Sequence, residues 1–405
     1  MTDTWSQRWS RRGKLAASGS APSRVAPPGM ISFVYGDPDV PSLPLEEMAQ
    51  AAEYLAENNR RDALAYQNAI QGDELNESLA QKLARDQGIH VSPEQIFVSH
   101  GASAGLSLLC DMVLDPGDVV LADAPAWMGA TNMFRLAGAE VIGVPLDDDG
   151  IDPARVEAVL DDLARQGRKP KFLYTIPTFQ NPEGVELSLE RRHALAKLAD
   201  ERDLLIVEDD AYVDLRFSGE PKPTLFSLSQ RGNVLFSGTL SKTIAAGLRL
   251  GYLVGPADVM ATMARGAVDT LRNTYTAALA DWYLRSGKLE AHIIELRQIY
   301  REKCERMLAA LEREMPEGTS WTRPNGGFFI WLTLPEGVDA VELLPAAREA
   351  GVDYIPGTAF YSDGSGRGNL RLSYSGVTLE QIDEGIARLA KVTRAALAKA
   401  GAPAD

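Results

Sequence analysis

Between Gln95 and Val254, short apolar runs recur at intervals too long for hairpins, and amphipathic stretches fill much of the space between them. Gln95-Ile96-Phe97-Val98-Ser99, Val119-Val120-Leu121, Val141-Ile142-Gly143-Val144, Phe172-Leu173-Tyr174-Thr175, Leu204-Leu205-Ile206-Val207, Val234-Leu235-Phe236 and Tyr252-Leu253-Val254 read as seven strands. Helical spacing of apolar residues predicts helices over about 104–114, 153–166 and 187–202. Apolar strands bounded by helices bury both faces, which demands an α/β fold with a mostly parallel sheet sandwiched by helices. Ligands of such sheets gather at the carboxyl ends of the strands, where loops run into helices. The polar motifs of this chain sit at those ends.

The chain has 405 residues, more than one core usually organises. Before the first strand, helical patterns cover about 44–58 and 73–88. After about residue 285 the rhythm changes. A long amphipathic helix near 288–315 leads to Gly326-Gly327-Phe328-Phe329-Ile330-Trp331-Leu332, and a helix follows near 339–350. Val352-Asp353-Tyr354-Ile355, Asn369-Leu370-Arg371-Leu372-Ser373 and a last helix near 378–399 complete a smaller α+β unit. We therefore expect an N-terminal arm (1–43), a large domain (44–285) and a small C-terminal domain (286–405). The arm is rich in Ser, Pro and Ala, and its Trp5 and Trp9 are spaced to share one face of a short helix.

A net charge of -15 argues against nucleic acid or an anionic membrane as partner. Cys110 and Cys304 have neither disulfide nor metal spacing, and His90, His100, His193 and His292 are scattered. With no long apolar run and no apolar segment behind the basic N-terminus, we expect a cytoplasmic protein that binds no metal.

The stretch Ser237-Gly238-Thr239-Leu240-Ser241-Lys242-Thr243, with Gly247-Leu248-Arg249 behind it, follows a strand. Small hydroxyls, backbone amides and a cation suit a phosphate, and a lysine beside them suits an aldehyde. Gly101-Ala102-Ser103 opens a helix, whose free amides favour an anion, although an N-cap turn reads the same. Trp127 ends another strand where its ring could stack on a flat ligand or fill a core. Asn181, between Gln180 and Pro182, could donate to an aromatic oxygen. In Val207-Glu208-Asp209-Asp210-Ala211-Tyr212 a carboxylate could pair with a protonated ring nitrogen; the residues alone leave Asp209 and Asp210 open. Arg371, among apolar strand residues, has the fork that grips a carboxylate.

Together these strings resemble the fold type I pyridoxal phosphate (PLP)-dependent aminotransferases of class I/II. The likeness is to the branch of 2-aminoadipate and aromatic aminotransferases and the effector domains of MocR regulators. It spans about residues 30–395 and rests on the order of Gly36-Asp37-Pro38-Asp39, Tyr66 with Gly72, Gly101, Pro125 with Trp127, Gln180-Asn181-Pro182, Asp209 to Tyr212, Ser241-Lys242 with Arg249, Pro324 with Gly327, Pro356-Gly357, and Arg371. The resemblance implies that Lys242 is the catalytic Schiff-base lysine, and that Asp209 pairs with the pyridine nitrogen. It implies that Asn181 and Tyr212 hold the 3-oxygen, and that Ala102, Ser103, Thr239, Ser241 and Arg249 cup the phosphate. Tyr66 resembles a tyrosine lent to the phosphate by a second subunit, which implies a homodimer with the active site at the subunit interface. Arg371 is implied as the clamp for the substrate α-carboxylate, assisted by Asn181 and the backbone near Gly36.

Several positions depart from the branch pattern: Trp127 for tyrosine, Ala102-Ser103 for Ser-Gln, Thr239 for serine, Glu183 in the Asn-Pro turn, and Ala246 for proline. The expected reaction is transfer of the amino group of an L-amino acid to a 2-oxo acid. The alternative on the same fold is a specialised biosynthetic enzyme that performs β-elimination, oxidative deamination or decarboxylation. A regulator is not expected, because about thirty polar residues precede the likeness, too few for a DNA-binding domain.

Overall fold

A computed structural model describes residues 7–18, 27–65, 74–267 and 272–400. In chain order its strands are β1 (Ile31–Ser32), β2 (Ile96–Ser99), β3 (Val119–Ala124), β4 (Glu140–Asp147), β5 (Gly150–Ile151), β6 (Pro170–Thr175), β7 (Ile206–Asp209), β8 (Val234–Thr239), β9 (Gly251–Val254), β10 (Ser320–Trp321), β11 (Phe329–Thr333), β12 (Val352–Asp353), β13 (Ile355–Pro356) and β14 (Asn369–Ser373).

The large sheet runs in the order β2-β9-β8-β7-β6-β3-β4-β5. The pairs β3/β4, β3/β6, β6/β7 and β7/β8 are parallel. The edge strand β2 and the two-residue β5 join by antiparallel pairs, as do β8 and β9. These are the seven expected strands plus β5. β7 starts two residues after the apolar run Leu204-Leu205 does. Asp203 ends the preceding helix in a left-handed conformation, and Leu204 N–H still donates to Ala199, so the first leucines belong to the turn. The shift places Asp209 on the last residue of the strand rather than in the loop.

The helices Ala102–Val113 and Met128–Ala137 bury one face of the sheet, where Phe97, Phe134, Phe172 and Tyr174 pack with Leu106 and Leu109. On the other face lie Leu121, Leu173 and Ile206, with Val156 and Leu195 from the helices Pro153–Arg165 and Leu189–Arg202. Beyond Arg285 the 27-residue helix Lys288–Glu314 and the helix Leu379–Ala400 cover a second, four-stranded antiparallel sheet, β10-β11-β14-β13.

The two sheets are tied by the segment after β1. β1 pairs with β12, the Ser373 amide donates to Phe33, and Ser375 donates to Asp37. Lys303, buried on the long helix, donates to the Ser375 carbonyl at 2.8 Å and to Asp39 at 2.5 Å. The segment from Phe33 to Asp39 is thus anchored to the smaller sheet while it reaches over the larger one.

In the arm, the helix Arg11–Ser18 lies against the helix Met128–Ala137; Arg11 reaches the Leu136 carbonyl, and Arg12 pairs with Asp111 at 2.8 Å. Trp9 precedes that helix, packing back over Gly13, and Trp5 lies outside the described residues. Cys110 and Cys304 are buried free thiols, pushed up to about 12 by burial. No helix among the described residues is long and apolar enough to cross a membrane.

Candidate active site

A cavity of about 340 Å³ opens at the carboxyl ends of β3, β6, β7 and β8, roofed by the segment around Gly36 and walled on the far side by the small sheet. Of the residues singled out from the sequence, Ala102, Ser103, Trp127, Asn181, Asp209, Tyr212, Thr239, Ser241, Lys242, Arg249, Gly36 and Arg371 all line it. Gly101 stands directly behind its wall. Tyr66 lies outside the described residues.

Lys242 sits in a single π-helical turn, Ser241–Ala245, that follows β8. Such turns displace one residue from the regular helical ladder and recur at functional sites. Its Nζ donates to the Gly36 carbonyl at 2.8 Å and lies 5.7 Å from the centre of the Phe328 ring. Arg249 terminates the next turn in the left-handed region, with φ 53°, an uncommon conformation for a side-chain-bearing residue. This turns its guanidinium back toward the start of the helix Ala102–Val113.

That approach depends on two glycines. A Cβ on Gly101, itself at φ 87°, would stand 2.5 Å from an Arg249 nitrogen, and one on Gly251 would stand 2.0 Å from the Ala102 amide. The result is a cradle bounded by the first amides of a helix, the Ser103, Thr239 and Ser241 side chains and a guanidinium. Helix N-terminal amides and a cation together suit a dianionic phosphate.

Asp209 is buried at the cavity wall, and burial pushes its carboxyl above the usual range. The Tyr174 hydroxyl donates to it at 2.6 Å, and Ser237 also hydrogen-bonds it. Asp210 points elsewhere: the Thr178 hydroxyl donates to it at 3.1 Å, and it does not line the cavity. Geometry therefore separates the two aspartates that the residues alone left open.

Asn181 is placed by a braced turn. Gln180 donates to the Pro125 carbonyl at 2.8 Å, and the buried Asp123 accepts from the Ile176 amide at 3.0 Å. Burial pushes the Asp123 carboxyl up to about 7. Asn181 then accepts from Arg371 at 2.8 Å and hydrogen-bonds Tyr212, whose phenol burial keeps protonated well above its ordinary range. Glu183, in the same turn, is pushed up to about 8 by burial and by the charge of Asp123.

Arg371 occupies β14, paired with Trp331 on one side and Ile355 on the other. It is 5% exposed, and burial lowers its guanidinium to about 10, so it remains a cation at neutral pH. The fork donates to Asn181 and to the Val34 carbonyl, its plane stacks on Phe329 at 4.2 Å, and its buried Nε has no partner among the described residues. The Val34 carbonyl meets Arg371, and the Gly36 carbonyl meets Lys242.

The Trp127 ring stands at the cavity because Gly129 leaves room for it: a Cβ there would come within 2.4 Å of the ring. Met128, Ile176, Val34, Tyr35, Phe329 and Ile355 supply further largely apolar walls. Sequence reasoning missed these residues and Tyr174, because each reads as an ordinary core residue of its element. A larger cleft of about 770 Å³ lies apart from Lys242, against the helix Lys288–Glu314, and its charges are largely paired internally, as Arg216 is with Glu186.

The residues present fit PLP. The glycine-dependent cradle suits its phosphate, Asp209 suits its ring nitrogen, Asn181 and Tyr212 suit its ring oxygen, and Lys242 suits its aldehyde.

Comparison with known proteins agrees with that chemistry. The family "Aminotransferase class I and II" matches residues 28–389. Aromatic-amino-acid aminotransferase 1 of Thermococcus litoralis is 35% identical over 91% of this chain and 89% of its own. The 2-aminoadipate transaminase of Thermus thermophilus is 35% identical over 92% of each chain. The crystal structure of Pyrococcus horikoshii kynurenine aminotransferase in complex with PMP superposes with a TM-score of 0.91 at 34% identity, covering 97% of this chain and 98% of that one.

Proposed function

Since this chain belongs to the class I and II aminotransferases, we propose that Lys242 carries its proton transfers and Arg371 its substrate carboxylate. The protein is a PLP-dependent transaminase that exchanges the amino group of an amino acid with a 2-oxo acid. The observation that carries the residue assignment is the shared cavity: Lys242 from the large sheet and Arg371 from the small one wall the same space.

In this reading Arg371 grips the α-carboxylate through its fork and fixes which face of the α-carbon meets Lys242. When bound, PLP supplies an electron sink for the charge left as the α-proton departs. Lys242 would carry the transferred proton on Nζ, from which it can be returned to the substrate–cofactor pair. Asp209 would hold the ring nitrogen by its negative charge, while Asn181 and Tyr212 would hold the ring oxygen. Thr239, Ser241, Arg249 and the amides of Ala102 and Ser103 would anchor the phosphate, with Gly101 giving them room. Trp127 would supply an aromatic wall for the ring.

Amino donors with apolar or aromatic side chains suit the walls formed by Trp127, Met128, Val34 and Ile355. We further propose the division into an arm (1–43), a large domain (44–285) and a small domain (286–405), which the two separate sheets support. A cytoplasmic homodimer completes the reading. It is supported by buried free thiols and by Val40, Leu45 and Leu64, which expose 72%, 79% and 77% of their surface in the single chain. In that dimer Tyr66 would reach the partner's phosphate.

The test is a half-reaction. Protein loaded with PLP and given phenylalanine alone, without a 2-oxo acid, should lose its visible cofactor band and release the matching oxo acid. Lys242→Ala should do neither. An undiminished half-reaction in Lys242→Ala would overturn the assignment, and faster turnover of aspartate than of phenylalanine would overturn the donor class.

A further inference from the structure

Asp209 is held by hydroxyls from both neighbouring strands, and one of them comes from a residue that reads as pure core. In the parallel pairing of β6 with β7, Tyr174 stands opposite Val207. Asp209 lies two residues further along, and the period-two alternation of a strand puts Val207 and Asp209 on one face. The phenol of Tyr174 therefore crosses diagonally to Asp209, within the reach of a long side chain. On the other flank, Ser237 of β8 stands directly opposite Asp209 and hydrogen-bonds it as well.

We propose that Tyr174, seconded by Ser237, is a positioning residue that holds Asp209 as an oriented carboxylate against the cofactor ring. This deepens the assignment of Asp209 made above and rests on it.

Three observations carry the inference. The Tyr174 hydroxyl donates to Asp209 at 2.6 Å, within the short range of bonds to an ionised acceptor. Its ring cannot swing away: it is fully buried and packed edge-on to Phe134 at 5.5 Å. Burial and the charge of Asp209 also keep its phenol protonated far above the usual range, so it donates at every working pH. A donor that never ionises favours the charged form of its acceptor. That offsets the burial which otherwise pushes the Asp209 carboxyl up.

Other groups act on Asp209 as well. Lys242 favours its charge, while Asp210 and Tyr212 lie beside it on the same stretch of chain, and Asp123 acts on Tyr174 from β3. Among the described residues, Tyr174 and Ser237 donate to it from their side chains.

Tyr174→Phe removes the hydroxyl and keeps the ring against Phe134. In the PLP-loaded protein the cofactor should dissociate about tenfold more readily, the loss expected for one hydrogen bond to a charged group. The pH midpoint of its visible band should rise by about one unit, since a less electron-poor ring holds its titrating proton more tightly. Asp209→Asn should produce a larger shift of the same sign, and Tyr174→Phe should add nothing in the double variant. A purely structural tyrosine would lower thermal stability and leave the midpoint where it was. An unmoved midpoint in Tyr174→Phe beside a shifted one in Asp209→Asn overturns the inference alone. An unmoved midpoint in Asp209→Asn overturns the assignment of Asp209 beneath it. Should Tyr174→Phe not fold, Ser237→Ala poses the same question to the second hydroxyl; a rise in its midpoint supports the inference, and an unmoved one overturns it.

Discussion

Arg371 illustrates what one residue contributes through shape rather than charge. Its planar fork donates to Asn181 and Val34 while its face stacks on Phe329, three contacts that a point-like ammonium cannot make together. Arg371→Lys keeps the cation and loses the second of two parallel bonds to a carboxylate. One hydrogen bond to a charged group is worth about 1.5–3 kcal/mol, so kcat/KM should fall by roughly 10–100-fold. Steady-state kinetics with an amino donor checks this, and an unchanged kcat/KM would remove Arg371 from the substrate's binding site. Arg371 was legible in the sequence because a charge among apolar strand residues has to be accounted for. Tyr174 was not, since a tyrosine within Phe172-Leu173-Tyr174 is what any buried strand contains, and its hydroxyl acquires a purpose only across a strand pairing.

At the scale of elements, the turns that follow the parallel strands are braced by acids that never face the cavity. Asp123, at the end of β3, receives the Ile176 amide and Gln180, tying the turn that carries Asn181 to the loop that carries Trp127. Its carboxyl is raised from 3.8 to about 7 by burial, so the folded protein holds a proton there that the unfolded chain gives up. The stabilising contribution is therefore complete below about pH 4 and is lost as pH rises through about 7. Asp123→Asn should be most advantageous in alkaline buffer, by an amount on the order of 1–3 kcal/mol, because asparagine accepts the same bonds without ionising. Thermal unfolding at pH 5 and pH 8 checks this: the variant's gain in Tm over wild type should grow with pH, and a constant difference would refute it.

The same scale shows why some elements were legible and others were not. Strands announced themselves by uninterrupted apolar runs, and the helices Pro153–Arg165 and Leu189–Arg202 by the spacing of their apolar residues; their caps, Asp152 and Ser188, emerge only in the structure. The helices Met128–Ala137, Ala257–Gly266 and Thr274–Arg285 were not read from the sequence; they are short, with 10, 10 and 12 residues. The two-residue pair of β1 with β12 joins positions more than three hundred residues apart, and no local pattern encodes it.

For the whole molecule, the exposed side chains of Val40, Leu45 and Leu64 lie in the stretch that precedes the undescribed segment 66–73. In the proposed homodimer these side chains would lie against the second chain. Leu45→Asp should leave the single chain folded, since the side chain is 79% exposed there, and should shift the assembly from dimer to monomer with loss of activity on dilution. Sedimentation at several concentrations checks this; a variant that stays dimeric, or a wild type that is already monomeric, would refute it.

The extended segment from Phe33 to Asp39 sets a condition on whatever enters. The guanidinium of Arg371 is never idle: before any ligand arrives, one arm is committed to Val34 and the other to Asn181. A ligand that takes both arms enters by exchange, evicting an internal acceptor for each bond it gains. Its net affinity is the difference between two sets of bonds, which a carboxylate wins by its charge and a simple amine cannot contest. Two residues beyond Val34, the Gly36 carbonyl rests on the Lys242 amine. The strip of backbone that accepts from Arg371 is therefore continuous with the one that accepts from Lys242, so one short segment serves both sheets.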